Sequence, residues 1–237
     1  MDLGLSGKVA LVTAASKGLG RASAKALVDE GASVAINARD PETLRATAAD
    51  LGGDVFALPA DVTEPDAPQR LVEATVERFG TLDILVGNAG GPPKGRALEV
   101  DDVTLLAAID ANLLTSVRLV REAVPHMRAA GWGRICLITS SSVKQPIPDL
   151  ATSNTARAGL WGWAKTAAQD LIDEGITLNL ACPGLHATDR VTDLGFTGRL
   201  GDPADFGRVV AFLCSQHAGF ISGAALQVDG ASTLGLL

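Results

Sequence analysis

Lys8–Gly20, KVALVTAASKGLG, is a short apolar run that stops at a glycine-punctuated turn and restarts with helical character. Val9, Ala10, Leu11 and Val12 follow one another without a polar residue, the pattern of a parallel strand covered on both faces. Gly18 and Gly20 open a helix expected over Leu19–Glu30. Glycines at that point let the backbone turn tightly and approach a pyrophosphate, whose charge would meet unpaired N–H groups and the positive end of the helix dipole. Taken alone, a Gly-x-Gly turn fits an ordinary loop as well as a nucleotide cradle, so the rest of the chain has to decide.

Outward from this stretch, apolar runs and helical periodicities alternate. Strands are predicted over Ser33–Asn37, Val55–Ala60, Leu82–Gly87, Arg134–Thr139, Thr177–Cys182 and Ala225–Val228. Helices are predicted between them, over Pro41–Leu51, Pro65–Phe79, Asp101–Ala130, Ser153–Ile172 and Pro203–Ser215. In Asp101–Ala130, Leu105, Ile109, Leu113, Val117, Val120 and Val124 recur at spacings of three or four and mark one apolar face. Such alternation with short connections implies a single α/β unit spanning residues 1–237, a Rossmann-type doubly wound parallel sheet of about seven strands with helices on both faces. The turn-rich segments follow the strands, where ligands bind in sheets of this kind.

Composition removes several function classes. The 237 residues carry a net charge of −7, against the basic surface that nucleic acid or an anionic membrane requires. Apolar residues, 47 % of the chain, are dispersed, with no uninterrupted run of about 18 that would suggest a membrane span. The start lacks a basic segment followed by an apolar core and a small-residue cleavage site, which leads to the expectation of a cytoplasmic protein. Cys136, Cys182 and Cys214 are odd in number and sit in apolar contexts, as buried free thiols do; with His126, His186 and His217 they show no metal-ligand spacing.

With these pieces in order, the chain resembles the short-chain dehydrogenase/reductase family, particularly its β-ketoacyl-carrier-protein-reductase-like members, over essentially its whole length. The family's Thr-Gly-x-x-x-Gly-x-Gly turn stands here as Thr13-Ala14-Ala15-Ser16-Lys17-Gly18-Leu19-Gly20, with the first glycine replaced by Ala14. Its Asn-Asn-Ala-Gly motif is Gly87-Asn88-Ala89-Gly90, its Asp-Val is Asp61-Val62, and its Pro-Gly-x-x-x-Thr is Pro183-Gly184-Leu185-His186-Ala187-Thr188. The resemblance implies a nicotinamide dinucleotide held by these segments. Arg39 at the end of the second strand, with Lys17 in the first turn, favours NADP(H) over NAD(H), because a cation there can pair with the extra ribose phosphate. Asp40 counts the other way, since a carboxylate can take the free ribose hydroxyls.

In the family, catalysis uses an Asn, a Ser and a Tyr-x-x-x-Lys pair. Asn112 matches the first, and Ser140 the second with Ser141 as competitor; the last two positions align with Ser153 and Arg157. The chain contains no tyrosine. A phenol near pH ~10 can be tuned toward neutrality by a neighbouring cation, whereas an aliphatic hydroxyl is a far weaker acid and too short to reach the same point. Arg157 keeps a positive charge that could hold ribose hydroxyls, but does not relay protons. Two replacement acids suggest themselves. Lys144, in Ser142-Val143-Lys144-Gln145-Pro146, would act if it entered a dry cleft and is inert if it faces solvent; His186 is either next to the nicotinamide end or structural.

The segment Asp189–Asp202, with Gly195, Gly198 and Gly201, is shorter than the substrate-covering segment usual in the family. This fits an open site for a bulky or carrier-bound substrate, or no chemistry at all. Three functions therefore stand: an NADP(H)-dependent oxidoreductase of a small-molecule or carrier-bound carbonyl/alcohol pair, a catalytically silent cofactor-binding or scaffold protein, and a non-redox enzyme on the same fold. The family's habit of pairing implies a homodimer or homotetramer, for which Gly223–Val228, Ser232–Leu237, Trp161 and Trp163 are suited; ordinary core packing is the other use for those residues.

Overall fold

The computed structural model describes residues 1–192, 196 and 198–235. Gly195, and Leu236 and Leu237 at the end of the apolar tail, lie outside the described residues. Seven parallel strands form one sheet in the order β3-β2-β1-β4-β5-β6-β7. They are β1 (Val9–Val12), β2 (Ser33–Ala38), β3 (Val55–Pro59), β4 (Ile84–Gly87), β5 (Gly133–Ile138), β6 (Ile176–Pro183) and β7 (Ala225–Val228). The helices are α1 (Gly18–Asp29), α2 (Pro41–Leu51), α3 (Ala67–Phe79), α4 (Asp102–Ile109), α5 (Thr115–Ala130), α6 (Ala151–Leu171), the short α7 (Asp189–Thr192) and α8 (Pro203–Leu213). The doubly wound α/β architecture expected from the alternation of apolar runs is thus the observed one.

Each strand sends alternate residues to opposite faces, and both faces are covered. Leu11, Leu85, Ile135, Leu137, Leu178 and Leu180 pack toward α3, α5 and α6. Ala10, Val12, Ile84, Val86, Cys136, Ile138 and Ala181 pack toward α1, α2 and α8. This double burial is why the strands read as continuous apolar runs. Helix α1 crosses α8 closely, because Gly207 has no side chain: a Cβ there would lie 2.3 Å from the Ala22 carbonyl oxygen. Helices α3 and α5 end at Gly80 and Gly131, whose φ values of +85° and +62° suit a left-handed cap.

The predicted long helix Asp101–Ala130 is interrupted. Residues Asp110–Leu114 form a π turn between α4 and α5. A π turn inserts one residue into the helical repeat and shifts the faces presented on either side of it. Val117, Val120 and Val124 beyond it are buried in the core, while Leu105, Ile109 and Leu113 before and within it are only partly covered. By length and composition, 102–130 is apolar enough to cross a membrane. Here Val117, Leu119, Val120, Ala123, Val124 and Met127 bury the α5 part of that stretch in the core cluster on one face of the sheet.

Strand order reverses at β1, whose neighbours are β2 and β4. The carboxyl ends of β1, β2, β4, β5 and β6 and the loops that follow them therefore surround one crevice, the place where sheets of this topology bind ligands.

Candidate active site

The crevice is a cleft of about 1840 Å³ running along the carboxyl edge of the sheet. At one end the turn after β1 folds back on itself. Thr13, fully buried, donates its hydroxyl to the Asn88 carbonyl (2.7 Å) and accepts the Asn88 N–H (2.8 Å), tying the ends of β1 and β4 together. Asn88 Nδ2 then donates to the Ala14 carbonyl (3.2 Å), and the Ala15 N–H donates to the Asn37 carbonyl (2.8 Å). A Cβ on Gly20 would fall 2.4 Å from the Ala14 oxygen and 2.9 Å from Asn88 Nδ2, so this position admits only glycine. Gly18 has φ +58°, a left-handed conformation that glycine adopts without strain. Ala14, which stands where the resembled motif has glycine, is held at φ +47°.

Helix α1 starts at this turn with Lys17 as its N-cap residue and no side-chain cap bond. By contrast α2, α4 and α8 are capped by the carboxylates of Asp40, Asp101 and Asp202. The first turn of α1 thus presents backbone N–H groups and a lysine to the cleft, which Ser16, Lys17, Gly18 and Leu19 line. A buried polar atom points the same way: Asn37, a lining residue whose Nδ2 donates to the Leu58 and Ala60 carbonyls (3.0 Å each), has Oδ1 without a hydrogen-bond partner among the described residues. The N–H groups and cations are donors suited to phosphates, and the unsatisfied amide oxygen is an acceptor suited to a ribose hydroxyl or a base N–H; together they fit a phosphorylated nucleotide.

Arg39 is exposed on the cleft wall just after β2. Asp40 beside it is occupied: its carboxylate accepts the Thr43 N–H at 2.8 Å and starts α2. The Thr43 hydroxyl and N–H hold that carboxyl below the usual range. Asp61 accepts the Thr63 N–H (3.0 Å) and hydroxyl (2.8 Å), which lower its pKa, with Arg39 adding to the shift. Val62, Ala89 and Gly90 line the middle of the cleft, and Pro183 at the end of β6 lines it with Gly184 and Thr188 in the loop that follows. Thr188 also closes over the first turn, within 3.6 Å of where a Gly18 Cβ would be.

At the other end, Ser153 and Arg157 lie one turn apart on α6 and share a face. Arg157 is 8 % exposed and held from three elements: Nε donates to Ser153 Oγ (3.2 Å), Nη1 to the Ile138 carbonyl at the end of β5 (3.3 Å), and Nη2 to Asn112 Oδ1 in the π turn (3.3 Å). Both α6 residues line the cleft; Asn112, 3 % exposed, stands behind them and its Nδ2 donates to the Ala108 carbonyl (3.4 Å). Ser140 caps a short 3₁₀ turn through the Ser142 N–H (3.1 Å) and lines the cleft with Thr139 and Ser141.

Lys144, considered above as an acid inside the cleft, is not among its lining residues. The 3₁₀ turn Ser141–Val143 carries it away, and its Nζ sits over the Trp161 ring, 5.8 Å from the centroid. His186 does line the cleft, but it is buried: Nδ1 lies 3.2 Å from the Gly184 carbonyl oxygen, and the ring packs edge-on to Phe206. A Cβ on Gly201 would be 2.8 Å from Nε2, so the far edge of the imidazole abuts backbone. The structural reading of His186 is the one these contacts favour.

Several lining residues escaped the sequence. Asn37 read as part of a strand end. The segment Asp229–Thr233 folds over the cleft, with Asp229 accepting the Ala231 and Thr233 N–H groups (3.0 Å each) and Gln145 accepting the Leu234 N–H (2.8 Å). Asp229-Gly230 is a readable turn signal, but only the fold brings it to Gln145.

Comparison with known proteins agrees with this geometry. The profile of a family described as Enoyl-(Acyl carrier protein) reductase matches residues 13–233. A 3-oxoacyl-[acyl-carrier-protein] reductase from Haemophilus influenzae is 33 % identical, covering 95 % of this chain and 98 % of the relative; one from Escherichia coli is 34 % identical, covering 96 % and 98 %. Among solved structures, L-sorbose reductase from Gluconobacter frateurii, complexed with NADPH and L-sorbose, superposes with a TM-score of 0.92 at 32 % identity over 97 % of this chain and 98 % of that one. A 3-oxoacyl (acyl-carrier-protein) reductase from Agrobacterium tumefaciens with NADP bound superposes with a TM-score of 0.90 at 28 % identity, covering 96 % and 95 %. With a family profile matched over nearly its full length and relatives above 30 % identity over both chains, this chain belongs to the short-chain dehydrogenase/reductase family.

Proposed function

We propose that the protein is an NADP(H)-dependent oxidoreductase, a single functional unit over residues 1–237, that moves a hydride between the nicotinamide and a small-molecule or carrier-bound carbonyl substrate. The observation that carries this reading is the uncapped, lysine-bearing start of α1 with Arg39 on the adjoining wall and Asp40 withdrawn into a helix cap. When bound, the dinucleotide supplies the hydride. The chain's own residues do the rest. Thr13, Ser16, Lys17, Gly18, Leu19 and Gly20 form the phosphate turn, Arg39 meets the ribose phosphate, and Asp61, Val62, Asn88, Ala89 and Gly90 hold the adenosine half and the middle of the cleft. Pro183, Gly184, Thr188 and Arg157 hold the nicotinamide half. Ser140 and Ser153 orient the substrate oxygen.

The active site is atypical in this reading. Ser153 and Arg157 stand where the family has its tyrosine and lysine, and the chain has no tyrosine to take their place. The printed activities of the relatives, on 3-oxoacyl carriers and on L-sorbose, support a carbonyl substrate in general more than either in particular. The missing tyrosine also favours a second reading, a catalytically silent cofactor-binding partner. Absorbance assays of NADPH consumption against ketones, enones and acyl thioester mimics separate the two. Turnover of any of them supports the oxidoreductase, and cofactor binding without turnover supports the silent protein.

We further propose a homodimer or homotetramer. Val103 and Leu106 are exposed on α4, and Phe220 and Leu226 are exposed before and on β7, the open edge of the sheet.

A further inference from the structure

Past β7 the chain turns back along the carboxyl edge of the sheet. Gly230 and Ala231, at φ +62° and +65°, reverse its direction, and residues 229–233 line the cleft. Ala231 and Ser232 are also exposed, so they face the cleft on one side and solvent on the other, as a cover one chain thick does. The segment after β6, the other cover available to this cleft, closes on itself at its base. There the Ala187 N–H donates to the Gly201 carbonyl (2.9 Å) and the Gly201 N–H to the Leu185 carbonyl (3.0 Å).

The two ends of the 229–234 strap are held very differently. At its start the Asp229 carboxylate accepts the Ala231 and Thr233 N–H groups (3.0 Å each), and the Asp229 carbonyl accepts the Ser232 N–H (3.3 Å). Burial raises the Asp229 pKa, but the Thr233 hydroxyl and N–H, the Ala231 N–H and the Ser232 hydroxyl outweigh it and hold the group below the usual carboxylate range. Gly184 seats this start closely: its N–H donates to the Val228 carbonyl (3.0 Å), and a Cβ there would lie 2.8 Å from Asp229 Cα. The far end hangs on one long-range bond. The Leu234 N–H donates to Gln145 Oε1 (2.8 Å), while the Leu234 residue is 84 % exposed and adds no apolar anchor. Gln145 is in turn tied to the cleft wall, its N–H donating to the carbonyl of the lining residue Ser141 (3.2 Å). Two residues before Asp229, Gln227 lines the same cleft with Nε2 buried and without an acceptor among the described residues. A covered donor of this kind costs free energy until an acceptor reaches it, which suits this end of the cleft to an occupant.

We propose that residues 229–234 are a hinged strap over the end of the cleft beside β5, β6 and β7, with Asp229 as its fixed hub and Gln145 as its latch. Releasing the Leu234 N–H frees the far end while the bonds to Asp229 persist, so the strap swings without unfolding its own turn. Open, it lets an occupant pass; shut, it keeps water from the occupant. The occupant of this end, the nicotinamide half with its carbonyl substrate, rests on the hydride-transfer reading above. The latch rests on Gln145 and the strap alone. Gln145 acts through the strap and is a positioning residue.

Gln145 is exposed, so replacing it leaves the core intact. Amide hydrogen exchange across residues 229–235 compares the wild type with Gln145→Leu, which lacks the acceptor, and Gln145→Glu, which keeps one. Gln145→Leu is expected to speed exchange at Leu234 at least about fivefold while Ala231 and Thr233 stay within about twofold of the wild type; Gln145→Glu is expected to restore the wild-type rate. Stopped-flow displacement of bound NADPH reads the gate itself. Release is expected to be at least about threefold faster from Gln145→Leu and unchanged from Gln145→Glu. A merely structural contact would move thermal stability without moving release. Equal Leu234 exchange in the wild type and Gln145→Leu, or equal release rates, overturns the gate and leaves the hydride reading standing. A rise in exchange at every strap amide of Gln145→Leu overturns the hub at Asp229. If the wild type binds no NADPH the hydride reading falls, and the exchange comparison decides the latch.

Discussion

At Ala14 the backbone pays a local cost that its neighbours impose. Its φ of +47° is a conformation that disfavours any Cβ by roughly 1–2 kcal/mol, yet its carbonyl must face Asn88 Nδ2 and Gly20. Ala14→Gly is therefore expected to stabilise the folded chain by about 0.5 kcal/mol, the relief of strain being partly offset by the freer unfolded chain. Ala14→Val, β-branched at the same φ, is expected to lose about 2 kcal/mol. Urea unfolding of the three proteins measures both. Residue identity in the turn was legible from spacing, and so were the cations Lys17 and Arg39. The direction of a side chain was not. Lys144 follows the serines in sequence but is turned onto Trp161 by a 3₁₀ turn, and the role of Asp40 depends on its being the residue before Pro41 at a helix start, a cap signal that competes with its reading as a ribose ligand.

Helix starts and the π turn decide what the elements present to the cleft. α2 and α4 spend aspartates on their own N–H groups, whereas α1 leaves its first turn to the cleft. The carboxylates that accept from a nearby threonine N–H carry a pH signature. Asp40, Asp61 and Asp101 titrate below the ordinary carboxylate range because of the Thr43 hydroxyl and N–H, the Thr63 N–H and hydroxyl, and the Thr104 N–H and hydroxyl respectively. A depressed folded pKa means that the unfolded chain takes up protons first on acidification. The stability these groups contribute is present above about pH 4 and lost as pH falls through their lower folded values. Urea unfolding between about pH 5 and pH 2 is expected to show a shallower loss for Asp40→Asn, which keeps a capping oxygen without the titrating charge. Strand and helix positions were legible because double burial makes apolar runs and amphipathic faces repeat. The π turn was not, because it changes hydrogen bonding over Asp110–Leu114 without changing the composition.

Across the whole molecule, two core clusters sandwich the sheet and leave the carboxyl edge open, so the cleft is a consequence of topology and its chemistry is set by what stands at each strand end. The parallel order and the place of the site followed from the alternation of elements. The approach of Asp229–Thr233 to Gln145 did not, since it joins segments more than eighty residues apart through tertiary packing. The exposed apolar residues of α4 and of the β7 edge belong to this scale too. Light scattering on the purified chain is expected to give two or four times its 24.3 kDa mass, and Val103→Asp with Leu106→Asp is expected to lower it if α4 is part of the contact. Central to the proposed function is the nucleotide cradle proposed at the first turn of α1, with its cation at Arg39. Calorimetric titration of the wild type and of Arg39→Ala with NADPH and NADH tests it most directly. The wild type is expected to bind NADPH about tenfold or more tightly than NADH, with Arg39→Ala losing that advantage while NADH binding stays within about twofold; no heat of binding from either nucleotide to the folded wild type would contradict it.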